Sequence, residues 1–300
     1  MDRKNSYGEM GLKVEIDPKS GFCYGVIQAI KQAEDYLKEN ETLRSLGSIV
    51  HNKEEVERLE SLGMEVIDHN ELEILKNSTL LVRAHGEPPS TYKTALDNKI
   101  RVIDCTCPVV LNLQRKIKKG YESIKKDGGT LLIFGKKNHA EVNGLLGQIG
   151  GNAVVIESSA DLNSVDFSKP TTIFSQTTKD VDEYENIIAQ IKKLTLEQGG
   201  DLEKIKSHRT ICHQVSSRHP NLKTFAKKHS VIIFVSGKES SNGKILFETC
   251  KSSNNRSYKI ETCKDIDSAW FNKGDTVGVC GATSTPTWQL EEAAQCLERL

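Results

Sequence analysis

Three cysteines are the residues with the most chemistry to offer. Cys23, Cys107 and Cys212 lie 84 and 105 residues apart, too far for a local motif. Each sits between a short strand-like run and an amphipathic helix: VEIDPKSGFCYGVIQAIKQAEDYL, IRVIDCTCPVVLNLQRKIKKGYESI and HRTICHQVSSRHPNLKTFAKK. Three such units packed about a common axis would bring three thiolates to its centre. Three thiolates on a four-iron cluster leave one iron open for chemistry. The other cysteines read differently. No CxxC pair occurs, which excludes a zinc ribbon or finger. Cys250, Cys263, Cys280 and Cys296 read as small buried hydrophobes. Cys105, two residues before Cys107, is a candidate spare thiol at the rim of the same site.

The polar residues just after the strands come next. They are His51-Asn52, His85-Gly86, Asn138-His139-Ala140-Glu141, Gln176-Thr177-Thr178, Ser240-Ser241-Asn242 and Thr283-Ser284-Thr285. Ligands of parallel α/β sheets bind beyond the carboxyl ends of the strands. Helix capping is the simplest use for Ser, Thr and Asn there, and it is the expected role of Asn52 and Thr287. Histidine is a poor cap, and three histidines at equivalent strand ends suit anion binding and proton transfer. Glu141, two residues after His139, is either a first-turn carboxylate favoured by the helix dipole or a general acid. His69, His208, His213, His219 and His229 have no such placement and read as surface residues.

The elements that must position these groups recur three times. After each key cysteine comes a helix, then an apolar strand with a polar loop and helix: LGSIVHNKEEVERLESLG, TLLIFGKKNHAEVNGLLGQ and VIIFVSGKESSNGKILFETC. A shorter strand follows (MEVI, AVVI, YKI), then a short acidic helix (NELEILKN, SADLNSV, KDIDSAW). A last major strand leads into another loop and helix, as in TLLVRAHGEPPSTYKTAL, TTIFSQTTKDVDEYENIIAQI and TVGVCGATSTPTWQLEEAAQCL. Continuous apolar runs predict parallel strands buried on both faces, and their alternation with helices predicts βαβ units. The fold class is therefore α/β: three pseudo-threefold-related domains with mainly parallel sheets around a central cluster. Their expected bounds are 23–106, 107–211 and 212–300. Copy three lacks its final strand, and residues 12–16, LKVEI, are expected to supply it.

Bulk composition narrows the function classes. Of 300 residues, 37% are hydrophobic and 27% charged, which suits a globular protein of two or three domains. Lys+Arg and Asp+Glu balance at 41 each, so the basic footprint of a nucleic-acid binder is missing. No apolar run is long enough for a membrane helix, and MDRKNSYGEMGLK has no apolar signal core. The expectation is a cytoplasmic protein with no nucleic-acid or membrane partner. Neither GxxxxGK[ST] nor a strand-end GxGxxG is present. The pocket described so far has a metal cluster as floor, neutral donors and helix N-termini as wall, and one acid near the open iron. It suits a phosphate or diphosphate.

GFCYGV, the HN after a strand, RAHG, DCTCP, NHAEVNG, SQTT, TIC, SGKESSN and GATSTP occur in that order. They resemble the signature segments of the LytB family, the 4-hydroxy-3-methylbut-2-enyl diphosphate reductases, from about residue 12 to residue 290. The stretch HQVSSRH, Cys105 and the polar N-terminus depart from that pattern. The resemblance implies reductive dehydroxylation of an allylic diphosphate to isopentenyl and dimethylallyl diphosphate. This is the last step of the methylerythritol phosphate route. It implies one 4Fe-4S cluster on Cys23, Cys107 and Cys212 with one open iron, and a donor such as ferredoxin or flavodoxin. By motif, His51, His85, His139, Ser240, Ser241, Asn242 and Ser284 match the diphosphate-binding set. Glu141 matches the proton-delivering acid, and Thr177 the threonine that links acid and substrate hydroxyl. Quinolinate synthase is a rival with three α/β domains, but its carboxylate substrates do not ask for this array of histidines. A non-enzymatic iron–sulfur redox protein would leave the polar strand ends without a purpose.

Overall fold

Runs such as TLLIF and VIIFV become strands whose residues are nearly all buried, as expected of parallel sheets covered on both faces. The computed structural model describes residues 9–50, 52–238 and 240–300, and of 241 and 242 the backbone alone. The first strand, β1 (Lys13–Ile16), pairs in parallel with the last, β12 (Thr276–Gly281). With β10 (Val231–Val235) and β11 (Ser257–Ile260) they form a sheet of order β1-β12-β10-β11. A second sheet, β3-β2-β4-β5, contains β2 (Leu43–Leu46), β3 (Met64–Ile67), β4 (Thr79–Val82) and β5 (Arg101–Asp104). The third, β7-β6-β8-β9, contains β6 (Thr130–Phe134), β7 (Val154–Ile156), β8 (Thr171–Ser175) and β9 (Ile205–His208). All pairings are parallel, and the three sheets share one strand order. In each, the strand that leads to a key cysteine lies at an edge.

The helices are α1 (Tyr24–Leu37), α2 (Lys53–Ser61), α3 (His69–Ile74), α4 (Pro89–Asp97), α5 (Pro108–Lys125) and α6 (Ala140–Gly147). They continue with α7 (Val181–Glu197), α8 (His213–Ser216), α9 (Arg218–Ala226), α10 (Ser241–Ser253) and α11 (Thr287–Glu298). Of the three short acidic helices expected, only α3 is an α-helix. Ser159–Ser164, Cys263–Asp265 and Ser268–Trp270 are 3-10 turns. Segments of one or two turns gain too few i→i+4 bonds to offset nucleation, and capping boxes at Ser158/Asp161 and Thr262/Asp265 tighten their starts. Among the described residues no helix is long and apolar enough to cross a membrane.

The chain divides into two compact units. One takes residues up to Ile27, Val50–Arg58 and Ser217–Leu300, and contains the β1-β12-β10-β11 sheet. Alternate strand residues feed its two cores. Val231, Ile233 and Val279 pack with Leu290 and Leu297 of α11, while Ile232 and Phe234 pack with Leu222, Leu246 and Cys250. The other takes Gln28–Ile49 and Leu59–Ser216, with the two remaining sheets. There Phe134 and Ile173 meet Ile187 and Ile191 of α7, and Ile133 and Phe174 meet Ile117 and Val142 from α5 and α6. A rigid, doubly covered sheet fixes where each strand ends, and the chemistry-bearing residues stand at those ends.

Candidate functional site

In the larger unit, two of the three cysteines are held by one device. Beyond β5 the chain keeps pairing with the end of β4: Cys105 N donates to Val82 O at 2.9 Å and Cys107 N to Ala84 O at 3.0 Å. Beyond β9, Cys212 N donates to Thr177 O at 2.8 Å. The Thr210 hydroxyl extends that second ladder, accepting from Ser175 N at 2.9 Å and donating to Ser175 O at 2.6 Å. Each thiol thus starts a helix from a backbone tied to the central strand. Cys105 turns into the core at 5% exposure, where burial and then Asp104 push its thiol up to about 12. Cys107 and Cys212 are half-buried, and no disulfide joins any of the eight cysteines.

His139 caps α6, contrary to the expectation that histidine would not. Its Nδ1 accepts from Glu141 N at 3.1 Å. Because Nδ1 accepts, the neutral ring carries its proton on Nε2. The His85 ring meets it edge-on, with centroids 5.3 Å apart. Close backbone packing makes this meeting possible: a Cβ on Gly147 of α6 would lie 2.2 Å from Pro88 Cβ, so only glycine lets the helix approach the His85 turn.

Glu141 lies in the first turn of α6, yet its carboxyl group is turned inward and 1% exposed. Oε1 accepts from Thr177 N at 2.7 Å and Oε2 from Thr177 Oγ1 at 2.8 Å. Burial raises its pKa, and the two Thr177 bonds oppose that shift. Burial is the larger effect, so the group holds a proton above the ordinary carboxylate range. Thr177 also supplies the carbonyl that accepts from Cys212. Acid, hydroxyl and thiol residue are thereby joined through one residue at the end of β8. Gln176, not singled out beforehand as a structural support, stiffens this end: its side chain accepts from Lys136 N at 3.0 Å and donates to Thr178 Oγ1 at 2.9 Å.

The smaller unit carries the remaining candidates. Cys23 is half-buried at the start of α1, after a turn in which Asp17 accepts from Lys19 N and Ser20 Oγ. Ser240 caps α10, its Oγ accepting from Gly243 N at 3.0 Å. Ser241 and Asn242 are the first two residues of that helix. Ser284 is half-buried in the turn before α11, and His51 lies outside the described residues. Asn52 caps as expected, through Glu55 N at 2.9 Å. Thr287 does not: Pro286 holds the N-cap position and Thr287 is the first helical residue. His229 is buried rather than superficial, bonded to Phe225 O and to Glu15 Oε2, and His219 is half-buried against Thr249 Oγ1. Cys250 and Cys280 are fully buried, as hydrophobes should be. Cys263 and Cys296 are half-exposed instead, because the turn at 263 rests on the solvent-facing side of α11 beside Glu292.

Among the described residues, no three His, Cys, Asp or Glu side chains are grouped to hold a single metal ion. A single ion draws its ligands to about 2.0–2.3 Å. A multi-iron cluster takes one thiolate per iron, so its cysteines stand apart.

The sequence pattern of the LytB protein family matches residues 14–298. A 4-hydroxy-3-methylbut-2-enyl diphosphate reductase of Bacteroides thetaiotaomicron is 49% identical, with 94% of this chain and 96% of the relative covered. That of Parabacteroides distasonis is 48% identical, with 96% and 98% covered. A solved structure of (E)-4-hydroxy-3-methyl-but-2-enyl diphosphate reductase, the terminal enzyme of the non-mevalonate pathway, superposes with a TM-score of 0.79. It is 30% identical and covers 96% of this chain and 99% of its own. The corresponding reductase from Plasmodium falciparum gives a TM-score of 0.76 at 26% identity, covering 95% of this chain and 86% of its own.

Proposed function

As the chain belongs to the LytB protein family, we infer that it is an oxidoreductase converting 4-hydroxy-3-methylbut-2-enyl diphosphate to isopentenyl and dimethylallyl diphosphate. This is the terminal step of the non-mevalonate route to isoprenoids. In the reaction a C–O bond breaks, two electrons and two protons enter, and water leaves. When bound, a 4Fe-4S cluster on Cys23, Cys107 and Cys212 supplies the electrons and one iron with an open position. The residues fit such a group. They are three thiols outside disulfides, all half-buried, each leading a helix from the edge strand of its own sheet.

The observation that carries the reading is the buried Glu141 carboxyl on Thr177, whose own carbonyl holds the Cys212 backbone. A protonated Glu141 donates through Oε2 to Thr177 Oγ1, and that hydroxyl is then free to donate onward to the substrate oxygen. The Thr177 N–H stays on Oε1 throughout and keeps the carboxyl oriented. His85 and His139 present ring N–H donors for the diphosphate, and Ser240, Ser241, Asn242, Ser284 and His51 complete the proposed set. Fixed donors hold the allyl group in one orientation, which lowers the entropic part of the barrier. The proposed repeats are 23–106, 107–211 and 212–300, the last completed by residues 12–16. The proposed setting is the cytoplasm, with a ferredoxin or flavodoxin as electron donor.

The direct test is anaerobic turnover of the reconstituted protein with reduced viologen and the hydroxylated diphosphate. Substrate-dependent viologen oxidation is expected. None, from protein with an intact cluster by absorbance, would reject the reading. Thr177→Val separates the relay from the fold. Valine keeps the backbone bond to Oε1 and removes only the hydroxyl, so turnover is expected to fall by about 10²-fold, the low end of what a positioned proton-transfer group contributes. Cluster content and diphosphate affinity should stay near wild type. A rate within twofold of wild type would take Thr177 Oγ1 out of the relay.

A further inference from the structure

Arg83 lies at the carboxyl end of β4, two residues before His85, and the function above gives it no task. Its guanidinium is turned largely from water, the side chain being 13% exposed. It crosses to the neighbouring strand β2, where Nη1 donates to Ser48 O at 3.1 Å. The planar group lies flat against Gly47, where a Cβ would sit 2.7 Å from Cζ and Nη1 and 2.9 Å from Nη2. Gly47 has φ 74°, and its N–H donates to Ile67 O at 2.8 Å, closing the turn after β2. On the other side, Nη2 stands 3.9 Å from Glu87 Oε1. Glu87 is 3% exposed and also receives Thr91 Oγ1 at 3.2 Å and His69 Nε2 at 2.9 Å, both on Oε2.

Keeping this charge out of water is costly. Burial pushes the Arg83 pKa down, and Glu87 opposes that; an arginine nonetheless stays charged. A well-packed apolar pair would often stabilise such a site as well or better. What the apolar pair lacks is a rigid fork that grips the backbone of one loop while anchored by a carboxylate in another. Arg83 clips the turn after β2 to the turn after β4. The second turn carries His85, whose ring abuts His139.

We propose that Arg83, braced by Glu87 and seated on Gly47, is a positioning residue that holds the His85 turn against His139 and thereby sets the affinity of the diphosphate subsite. The inference rests on the diphosphate reading above.

Three variants test it in the cluster-loaded enzyme: Arg83→Gln, Arg83→Lys and Gly47→Ala. Kinetics with substrate are combined with inhibition by inorganic diphosphate. Arg83→Gln is expected to raise KM and the diphosphate inhibition constant together, about tenfold each, with kcat within about threefold and cluster absorbance unchanged, the signature of lost uniform binding. Lysine keeps the charge but not the fork, so it should recover only a minor part of that affinity. Gly47→Ala leaves every charge in place and displaces the clip from its other face. It should raise both constants as Arg83→Gln does, and it stands in for that variant should Arg83→Gln fail to fold. Two outcomes overturn the proposal: unchanged diphosphate inhibition in Gly47→Ala and Arg83→Gln, or full recovery by lysine. If the wild-type protein neither turns over substrate nor binds inorganic diphosphate, the functional reading fails first, whatever the variants do.

Discussion

Glu141→Gln is expected to slow turnover by about 10²–10⁴-fold, the range spanned by loss of a positioned general acid, while cluster content and inorganic diphosphate affinity hold. Glutamine is nearly isosteric, and its Oε1 can still accept from Thr177 N, so the pocket keeps its shape. What disappears is the proton. Wild-type activity should decline as pH rises through the Glu141 pKa, which burial has raised above the ordinary carboxylate value. The sign for stability follows from the same shift. A carboxyl with a raised native pKa holds more protons folded than unfolded between its two pKa values. Its contribution is fully present below the unfolded value near 4.5 and is lost as pH climbs through the folded one. Glu141→Gln should therefore melt higher than wild type at neutral pH and match it in acid. Single-turnover rates and thermal melts across pH measure both. Near-wild-type turnover at neutral pH removes the acid role.

Cys107→Ser is expected to abolish the 4Fe-4S absorbance and all turnover, whereas Cys105→Ser keeps both. Serine can still follow the backbone at either position, so the contrast isolates the thiol. Cys107 is half-buried at the helix start beside a strand end, while Cys105 is turned into the core with its thiol pushed up to about 12. A group so unwilling to ionise makes a poor iron ligand, since the ligand form is the thiolate. Iron and sulfide analysis with absorbance after anaerobic reconstitution decides it. Loss of the cluster in Cys105→Ser with retention in Cys107→Ser would reverse the assignment.

Much of this was legible before any coordinates. Strands buried on both faces announce themselves as apolar runs, and the tripled series of elements led to three parallel sheets of one strand order. The short strand LKVEI lies beside β12, 263 residues away in sequence. Local rules did less well where a neighbour from elsewhere intervenes. Thr287 has a capping residue's chemistry, but Pro286 takes the position before it. His229 has a surface residue's chemistry, but α9 and Glu15 enclose it. His139 both caps a helix and faces His85, two roles that sequence treats as alternatives.

Glu141 marks the boundary most clearly. Its type and its place two residues after His139 named it as a candidate acid, but a first-turn glutamate in water would be an ordinary carboxylate. It becomes an acid because the fold excludes water from it, while Thr177, 36 residues away, orients both of its oxygens. By itself the sequence determined the element series, the chemistry of each side chain and its position at a strand end. These follow from periodicity and composition, which are local. Only the tertiary structure decided which thiol of the Cys105/Cys107 pair stays out of the core, which nitrogen of His139 caps α6 and why the Glu141 pKa is raised. Burial and hydrogen-bond partnership are properties of distant segments brought together.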